Sequence, residues 1–274
     1  MTARMNTMDQ LTERALEYLG QRGFSAETAV RAGLTSTPDG SGIVWPYVEF
    51  DEVVNSKVWR PPAAQGERPQ WRFAEAGRPL SLWNADVLLD DAVNRKDQPM
   101  AVVITEGEWD ALSAIEAGYP FAVSMPNGAP APIEHGSDVG SDHQDDTSGR
   151  YQLLHRRWAD IKLVQRWIIA TDNDGPGRQL AQDLVRRFGT SRCSFIQYPN
   201  SCKDLNEVLV KTGPAAVAAL ISAAKPYPVK GLFTLADLPN EPPRVCVSTG
   251  WPNLESARTS WQRIGGESPL RSKV

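Results

Sequence analysis

Cysteine and histidine are scarce in this chain: Cys193, Cys202 and Cys246 are widely spaced, and the only histidines are His135, His143 and His155. Without a C-x-x-C pair, neither a disulfide framework nor a zinc ribbon is supported. The histidines fall in or just after a polar stretch, so no zinc is expected. Long apolar runs are also missing. Nothing reaches membrane length and the first ten residues, MTARMNTMDQ, hold no apolar core of a signal peptide, so we expect no membrane association and a cytoplasmic protein. Excess positive charge is absent too. A net charge of -4 is a poor fit to DNA binding by bulk electrostatics, so any nucleic-acid contact must be local and metal-assisted. Finally, no G-x-x-x-x-G-K-[ST] motif occurs, and Gly265 and Gly266 lack the lysine and the strand context that cradle phosphates; ATP-driven translocation is not expected. What remains is an ordinary composition, 41% hydrophobic and 23% charged over 274 residues, large enough for two cores.

Three short stretches carry most of the information: ITEGEWDAL (104–112), IIATDNDGPGR (168–178) and CKDLNEVL (202–209). In each, an apolar segment hands over to a turn bearing carboxylates, and a helical pattern follows. The run AVVIT at 101–105 is β-branched, too short for a helix and typical of a strand buried on both faces. Glu106 and Gly107 end it, a helix is expected from Glu108 to Glu116, and Gly118 is placed to stop it. Further strands are expected at 121–125 (FAVSM), 167–171 (WIIAT) and 192–198 (RCSFIQY), the third followed by a helix from Arg178 to Phe188 that Gly189 ends. Alternating strands and helices imply parallel pairing with right-handed crossovers, so the strands' C-terminal ends share one sheet edge. Glu106, Asp172 and Asp174 should therefore converge where open α/β sheets place their sites.

Carboxylates brought together repel unless some stay protonated or a cation neutralises them. Mg²⁺ takes a few carboxylate oxygens and shares its octahedron with water and substrate phosphates, which makes phosphoryl or nucleotidyl transfer the natural reaction class. The competing explanation is that these acids cap helix N-termini, a common task for Asp. The spacing of E-G-x-x-D, then D-x-D-x-x-G about 65 residues later, each directly after an expected strand, favours the metal site.

The E-G-x-x-D of Glu106 to Asp110, the D-x-D-x-x-G of Asp172 to Gly177 and the K-D-x-N-E of Lys203 to Glu207 resemble the Toprim domain of primases, topoisomerases and some nucleases. More narrowly, SMPNGAP (124–130), IIATDNDGPGRQLAQDLVRRFG (168–189) and CKDLNEVLVKTG (202–213) resemble the phage-type and Twinkle-like primase-helicases, over residues 10 to 250. The resemblance implies a Toprim-like, Rossmannoid α/β fold with a mostly parallel sheet and a smaller N-terminal α+β lobe. It implies Glu106 as the catalytic acid/base or metal-shaping residue, Asp172 and Asp174 as holders of Mg²⁺ (or Mn²⁺), and Asp204 as an outer or second-metal carboxylate. Gly107, Asp110 and Gly175 would support the site, and Lys203 would contact nucleotide or nucleic acid.

Upstream, ALEYLGQRGFSAETAVRAGL (15–34) reads as two short helices with Ser25 as an N-cap, and 42–46 and 48–54 as a strand pair. The stretch from Asn55 onward interleaves Lys57, Arg60, Arg68, Arg72 and Arg78 with Trp59, Trp71, Phe73 and Trp83. Cations for phosphates and aromatic faces for bases are what a single-strand groove needs. Large aromatics are mostly buried, so the tryptophans are expected in a core. Lys57 and Arg60, in an N-x-K-x-x-R setting that resembles the basic motif of primases, are expected to hold template or nucleotide, with Arg72 beside them.

The expected organisation is a primase-core lobe at 1–97, a Toprim domain at 98–225 with an irregular loop insertion at 129–149, and a proline-marked linker and tail at 226–274. That tail leads toward a helicase half that the motifs do not show, as in a truncated or frame-shifted product. The leading expectation is a primase-like nucleotidyltransferase that makes RNA primers on single-stranded DNA from nucleoside triphosphates, a monomer with a separate replicative helicase as partner. A Toprim nuclease using the same metals and a non-catalytic DNA-binding or assembly module are the alternatives.

Overall fold

The computed structural model describes residues 10–64, 66–129 and 151–228. The expected loop insertion, apart from Ala129, and the linker and tail from 229 onward lie outside the described residues.

The chain opens with α1 (Glu13–Gln21) and α2 (Ala26–Arg31). Each is capped by a hydroxyl: Thr12 Oγ1 accepts from Ala15 N and Ser25 Oγ from Thr28 N. A four-stranded antiparallel sheet follows, in the order β1 (Thr35–Ser36), β2 (Ile43–Glu49), β3 (Glu52–Arg60), β4 (Gln70–Phe73). The hairpin is longer than the sequence reading, which ended one strand at Pro46 and ran the next through the turn. Strand β1 pairs only with Ile43 and Val44, so at Pro46 β2 is already an edge strand, where a missing N–H is tolerated. The turn is Phe50-Asp51, both at positive φ (55° and 62°), as a two-residue hairpin of the I′ kind requires. Neither residue favours that region, and Asp86 offsets the cost by accepting from Phe50 N at 2.8 Å and Asp51 N at 2.9 Å. After β4, α3 (Asp91–Asn94) leads into the second sheet.

The second sheet has the order β6 (Ala122–Ser124), β5 (Val102–Thr105), β7 (Trp167–Ala170), β8 (Cys193–Phe195), β9 (Lys225–Pro226). The first four are mutually parallel, as expected. The β9 strand joins β8 antiparallel, in a stretch read from sequence as the start of the linker; a two-residue edge strand tolerates Pro226 because nothing pairs beyond it. Between the strands lie α4 (Glu108–Glu116), α5 (Gln152–Arg156), α6 (Trp158–Ile161), α7 (Gly175–Phe188), α8 (Leu205–Thr212) and α9 (Pro214–Ser222). Helix α7 begins three residues earlier than the sequence reading, because Pro176 sits in the first turn, where its absent N–H would have had no partner.

Strand alternation splits the parallel sheet between two apolar clusters. Val103, Ile168 and Ala170 face one, and Val102, Ile104, Trp167 and Ile169 face the other. The first cluster does not stop at the parallel sheet. It runs through Trp109, Ala111 and Leu112 of α4 into Trp45 and Tyr47 of β2, Trp59 of β3 and Leu19 of α1. Trp45 meets Trp109 edge-on at 4.6 Å between ring centroids, and Trp59 does so at 5.7 Å. The buried tryptophans are thus core, as expected.

Candidate metal and nucleotide site

The C-terminal ends of β5 and β7 and the N-terminus of α8 open onto one cleft of about 610 Å³. Glu106, Gly107, Asp110, Asp172, Lys203 and Asp204 line it together with Lys57, Trp71 and Phe73 of the antiparallel sheet. A volume of this order suits a nucleotide-sized ligand. Strand ends from two of the motifs reach it because parallel pairing puts them on one edge, and the β7 turn is tied to the third motif by Asn173 N donating to Lys203 O at 2.7 Å.

Each acid is held differently. Glu106 Oε1 accepts from Ala129 N at 3.0 Å, while its Oε2 is buried with no hydrogen-bond partner. Burial first, and then the charge of Asp174, raise its pKa. Asp172 is lifted to about 6, by burial and then by Glu106, against the pull of Lys203. Asp110, buried at the cleft wall, accepts from Asn206 N at 3.0 Å; burial and then Asp204 and Asp172 push its pKa well up. Asp174 and Asp204 do cap helices: Asp174 Oδ1 accepts from Gly177 N at 2.8 Å and Asp204 Oδ1 from Glu207 N at 2.7 Å. For Asp204 capping and a place in the cleft coexist, since a cap uses one oxygen and Asp204 Oδ2 still reaches Lys203, whereas Asp174 is exposed and does not line the cleft.

Lys203 Nζ lies 3.2 Å from Asp172 Oδ2 and 3.2 Å from Asp204 Oδ2. Burial works against its charge, but the two carboxylates outweigh burial and raise its pKa. Among the described residues, no three His, Cys, Asp or Glu side chains converge closely enough to hold a metal ion as they stand. The donor chemistry nevertheless fits a hard divalent cation. It consists of carboxylate oxygens alone, one of them buried without a partner, and the proton affinities of Glu106 and Asp172 are raised by burial and then by neighbouring carboxylates. Glu106, Asp172, Asp174 and Asp204 are the residues that would hold it.

The basic residues separate. Lys57 points into the cleft but is buried: its Nζ donates to Glu108 Oε1 at 2.6 Å and to Pro126 O, and lies over Trp71 at 4.6 Å and Phe73 at 5.6 Å from the ring centroids. Glu108 also accepts from Tyr47 OH at 2.5 Å. The Pro126 loop in turn supplies Ala129 N to Glu106, so Lys57 is linked through the backbone to the acid site. The structure does not bring Arg60 or Arg72 there. Arg60 follows Lys57 by three residues on one strand, which turns it to the opposite face, and it pairs with Asp39 at 2.9 Å. Arg72 alternates with the cleft-lining Trp71 and Phe73 and is exposed.

The two glycines of D-x-D-x-x-G also differ. A Cβ on Gly175 would meet open space, whereas one on Gly177 would come within 2.1 Å of Asp172 O. The steric requirement therefore falls on Gly177.

Sequence reasoning missed Glu108, Asn206, Arg22 and Tyr198. Arg22 Nη1 donates to Asn206 Oδ1 at 2.9 Å, and its guanidinium lies 4.5 Å from the Trp109 ring. Asn206 Nδ2 returns a bond to Arg22 O at 3.1 Å. Tyr198 keeps a buried hydroxyl with no hydrogen-bond partner, its pKa pushed up by burial and then by Asp110. For Glu108 a signal existed: a lysine on the inward phase of a strand demands an acidic partner.

Residues 103–209 match the Toprim-like family. The Twinkle homolog protein, chloroplastic/mitochondrial, of Arabidopsis thaliana is 37% identical over 265 residues, which is 91% of this chain and 35% of that one. The primase homolog protein of the same plant is 37% identical over 139 residues, 49% of this chain and 40% of that one. The chain thus spans between a third and two fifths of the length of these relatives. Among solved structures, the primase fragment of the Bacteriophage T7 primase-helicase protein superposes with a TM-score of 0.53 at 19% identity, covering 74% of this chain and 72% of that one; at that identity it shows a shared fold. No helix among the described residues is long and apolar enough to cross a membrane.

Proposed function

We propose that this chain, which matches the Toprim-like family over residues 103–209 and is 37% identical to a Twinkle homolog protein, is a primase-type nucleotidyltransferase, making RNA primers on a single-stranded DNA template in a Mg²⁺-dependent reaction. The observation that carries the reading is the meeting of three acidic turns, at Glu106, Asp172 and Asp204, around one cleft that Lys57, Trp71 and Phe73 also line. Caps alone would not require acids from three motifs to face a common space, nor leave Glu106 Oε2 buried and unpartnered.

In this reading, Mg²⁺ (or Mn²⁺) supplies charge neutralisation for the triphosphate and for the attacking primer 3′-oxygen. Asp172 and Asp174 would hold it from the turn after β7, and Asp204 from the start of α8. Glu106 shapes that site and, with its raised pKa, accepts the proton of the attacking hydroxyl. Lys203, on a half-exposed side chain, provides the cation for the triphosphate. Lys57 keeps the Pro126 loop, and through Ala129 the Glu106 carboxylate, in place.

Template-directed ribonucleotide incorporation on single-stranded DNA with Mg²⁺ tests the proposal, wild type against Asp172→Ala/Asp174→Ala. Oligoribonucleotide product that the double variant loses is expected. DNA cleavage without synthesis would replace the proposal with a Toprim nuclease, and single-strand binding with no metal-dependent product would replace it with a binding module.

A further inference from the structure

Lys203 is a cation placed between acids that would themselves hold a cation. Its backbone is pinned, since Lys203 O accepts from Asn173 N at 2.7 Å and Lys203 N donates to Glu207 Oε2 at 3.3 Å. Its ammonium lies 3.2 Å from one carboxylate oxygen of Asp172 and 3.2 Å from one of Asp204. The two acids come from different motifs, 32 residues apart in the numbering, and no other basic side chain among the described residues forms an ion pair with either. The Lys203 side chain is 56% exposed, so its head can leave toward solvent on a stem whose base stays fixed.

We propose that Lys203 is a tethered counter-cation: in the metal-free protein it neutralises Asp172 and Asp204, it competes with the divalent ion for them, and metal loading moves its ammonium outward into the cleft. The proposal rests on reading these acids as a divalent-metal site. The physical basis is exchange of like for like. A carboxylate pair gains little from a second cation while the first remains within 4 Å, because the two cations repel each other. An ammonium is monovalent and cannot be coordinated from six sides, so a divalent ion displaces it, at the expense of the two ion pairs it made. Half-exposed pairs are individually weak, and breaking both sets the expected penalty on metal affinity at roughly tenfold. Once displaced, the same ammonium becomes available to an incoming polyphosphate only after the metal is in place, which imposes an order of binding.

The test uses Mn²⁺ alone, with no nucleotide, titrated into the full chain and read by electron paramagnetic resonance of the free ion. The proteins are wild type, Lys203→Met, Lys203→Arg and Asp172→Asn. Lys203→Met is expected to bind Mn²⁺ roughly tenfold tighter than wild type, and Lys203→Arg no tighter than wild type. In thermal unfolding, metal-free Lys203→Met should melt below wild type and gain more from added Mn²⁺. Equal or weaker Mn²⁺ binding by Lys203→Met, with wild type binding and Asp172→Asn not, overturns the counter-cation and leaves the metal site standing. Absence of Mn²⁺ binding in wild type and variants alike overturns the metal site, and this inference with it.

Discussion

Replacing Lys57 by methionine tests whether the wall of the cleft is held by a buried ion pair. The side chains of Lys57 and Glu108 are only 9% and 4% exposed, with 2.6 Å between Nζ and Oε1. Methionine fills most of the lysine stem and can lie on Trp71 and Phe73, so lost packing is a small part of the effect. The larger part is Glu108, left with the Tyr47 hydroxyl as partner and no neutralising charge. Removing one member of a buried pair costs about 3–5 kcal/mol. Adding Glu108→Gln removes the stranded charge and keeps an acceptor for Tyr47, so the double variant should lie within about 1–2 kcal/mol of wild type. Glu108→Gln alone strands the Lys57 ammonium and also costs stability, so the coupling between the sites, the two single losses minus the double, is at least about 2 kcal/mol, well above the few tenths seen for independent positions. Urea unfolding of all four proteins measures it from the midpoints, provided the slopes match. A loss under about 1 kcal/mol for Lys57→Met, or a double variant that costs the sum of the two singles, would refute the reasoning. The first result would mean Lys57 is not held by Glu108, and its ammonium would be free for phosphate.

The Gly177→Ala change, whose Cβ would lie 2.1 Å from Asp172 O, should destabilise by about 1–3 kcal/mol, whereas Gly175→Ala, meeting open space, should be neutral or slightly stabilising; equal effects in chemical denaturation would contradict the placement of the Asp172 turn. Mn²⁺ affinity should rise with pH between about 5 and 7, because Asp172, at about 6, binds metal only when ionised; a flat profile there would count against Asp172 as a ligand. The sign for stability is opposite. A folded-state pKa above the ordinary 3.8 means that the native metal-free protein holds this proton more tightly, so the contribution is full below about pH 4 and is lost as pH rises through 6. Arg60→Ala should leave the affinity and salt slope of single-stranded DNA binding unchanged, since Arg60 pairs with Asp39 away from the cleft; a slope reduced by about one would place a phosphate at Arg60 after all.

The parallel sheet and its acidic turns were legible because their information is local. A four-residue β-branched run followed by Glu-Gly, or by Asp-x-Asp, carries strand, turn and cap in adjacent letters. Where two local rules compete, the sequence reading erred: Gly175-Pro176-Gly177 scores as a breaker, yet Pro176 is compatible with the first turn of α7. Remote partners were invisible. Phe50-Asp51 gives no turn signal of its own, because the side chain that stabilises the turn is Asp86. The Tyr47, Lys57 and Glu108 group joins positions up to 61 residues apart; the register of β2 against β3, with Trp45 opposite Lys57, sets Tyr47 beside Lys57, and α4 brings Glu108 to both. Arg60 failed to join them for a reason that the sequence does contain: an odd spacing of three along a strand changes face.

The apolar cluster that runs from Trp45 and Trp59 through Trp109 into Val208 has a consequence for how the protein can be dissected. Cutting the chain at residue 97 would leave Trp109, Leu112 and Ile115 facing water along one side of α4, and would leave Lys57's partner Glu108 without its cation. The half that carries the acidic turns is thus not a portable module. Its acids depend on a foundation laid down by the first 60 residues, and an isolated fragment beginning at the parallel sheet is expected to aggregate rather than fold by itself.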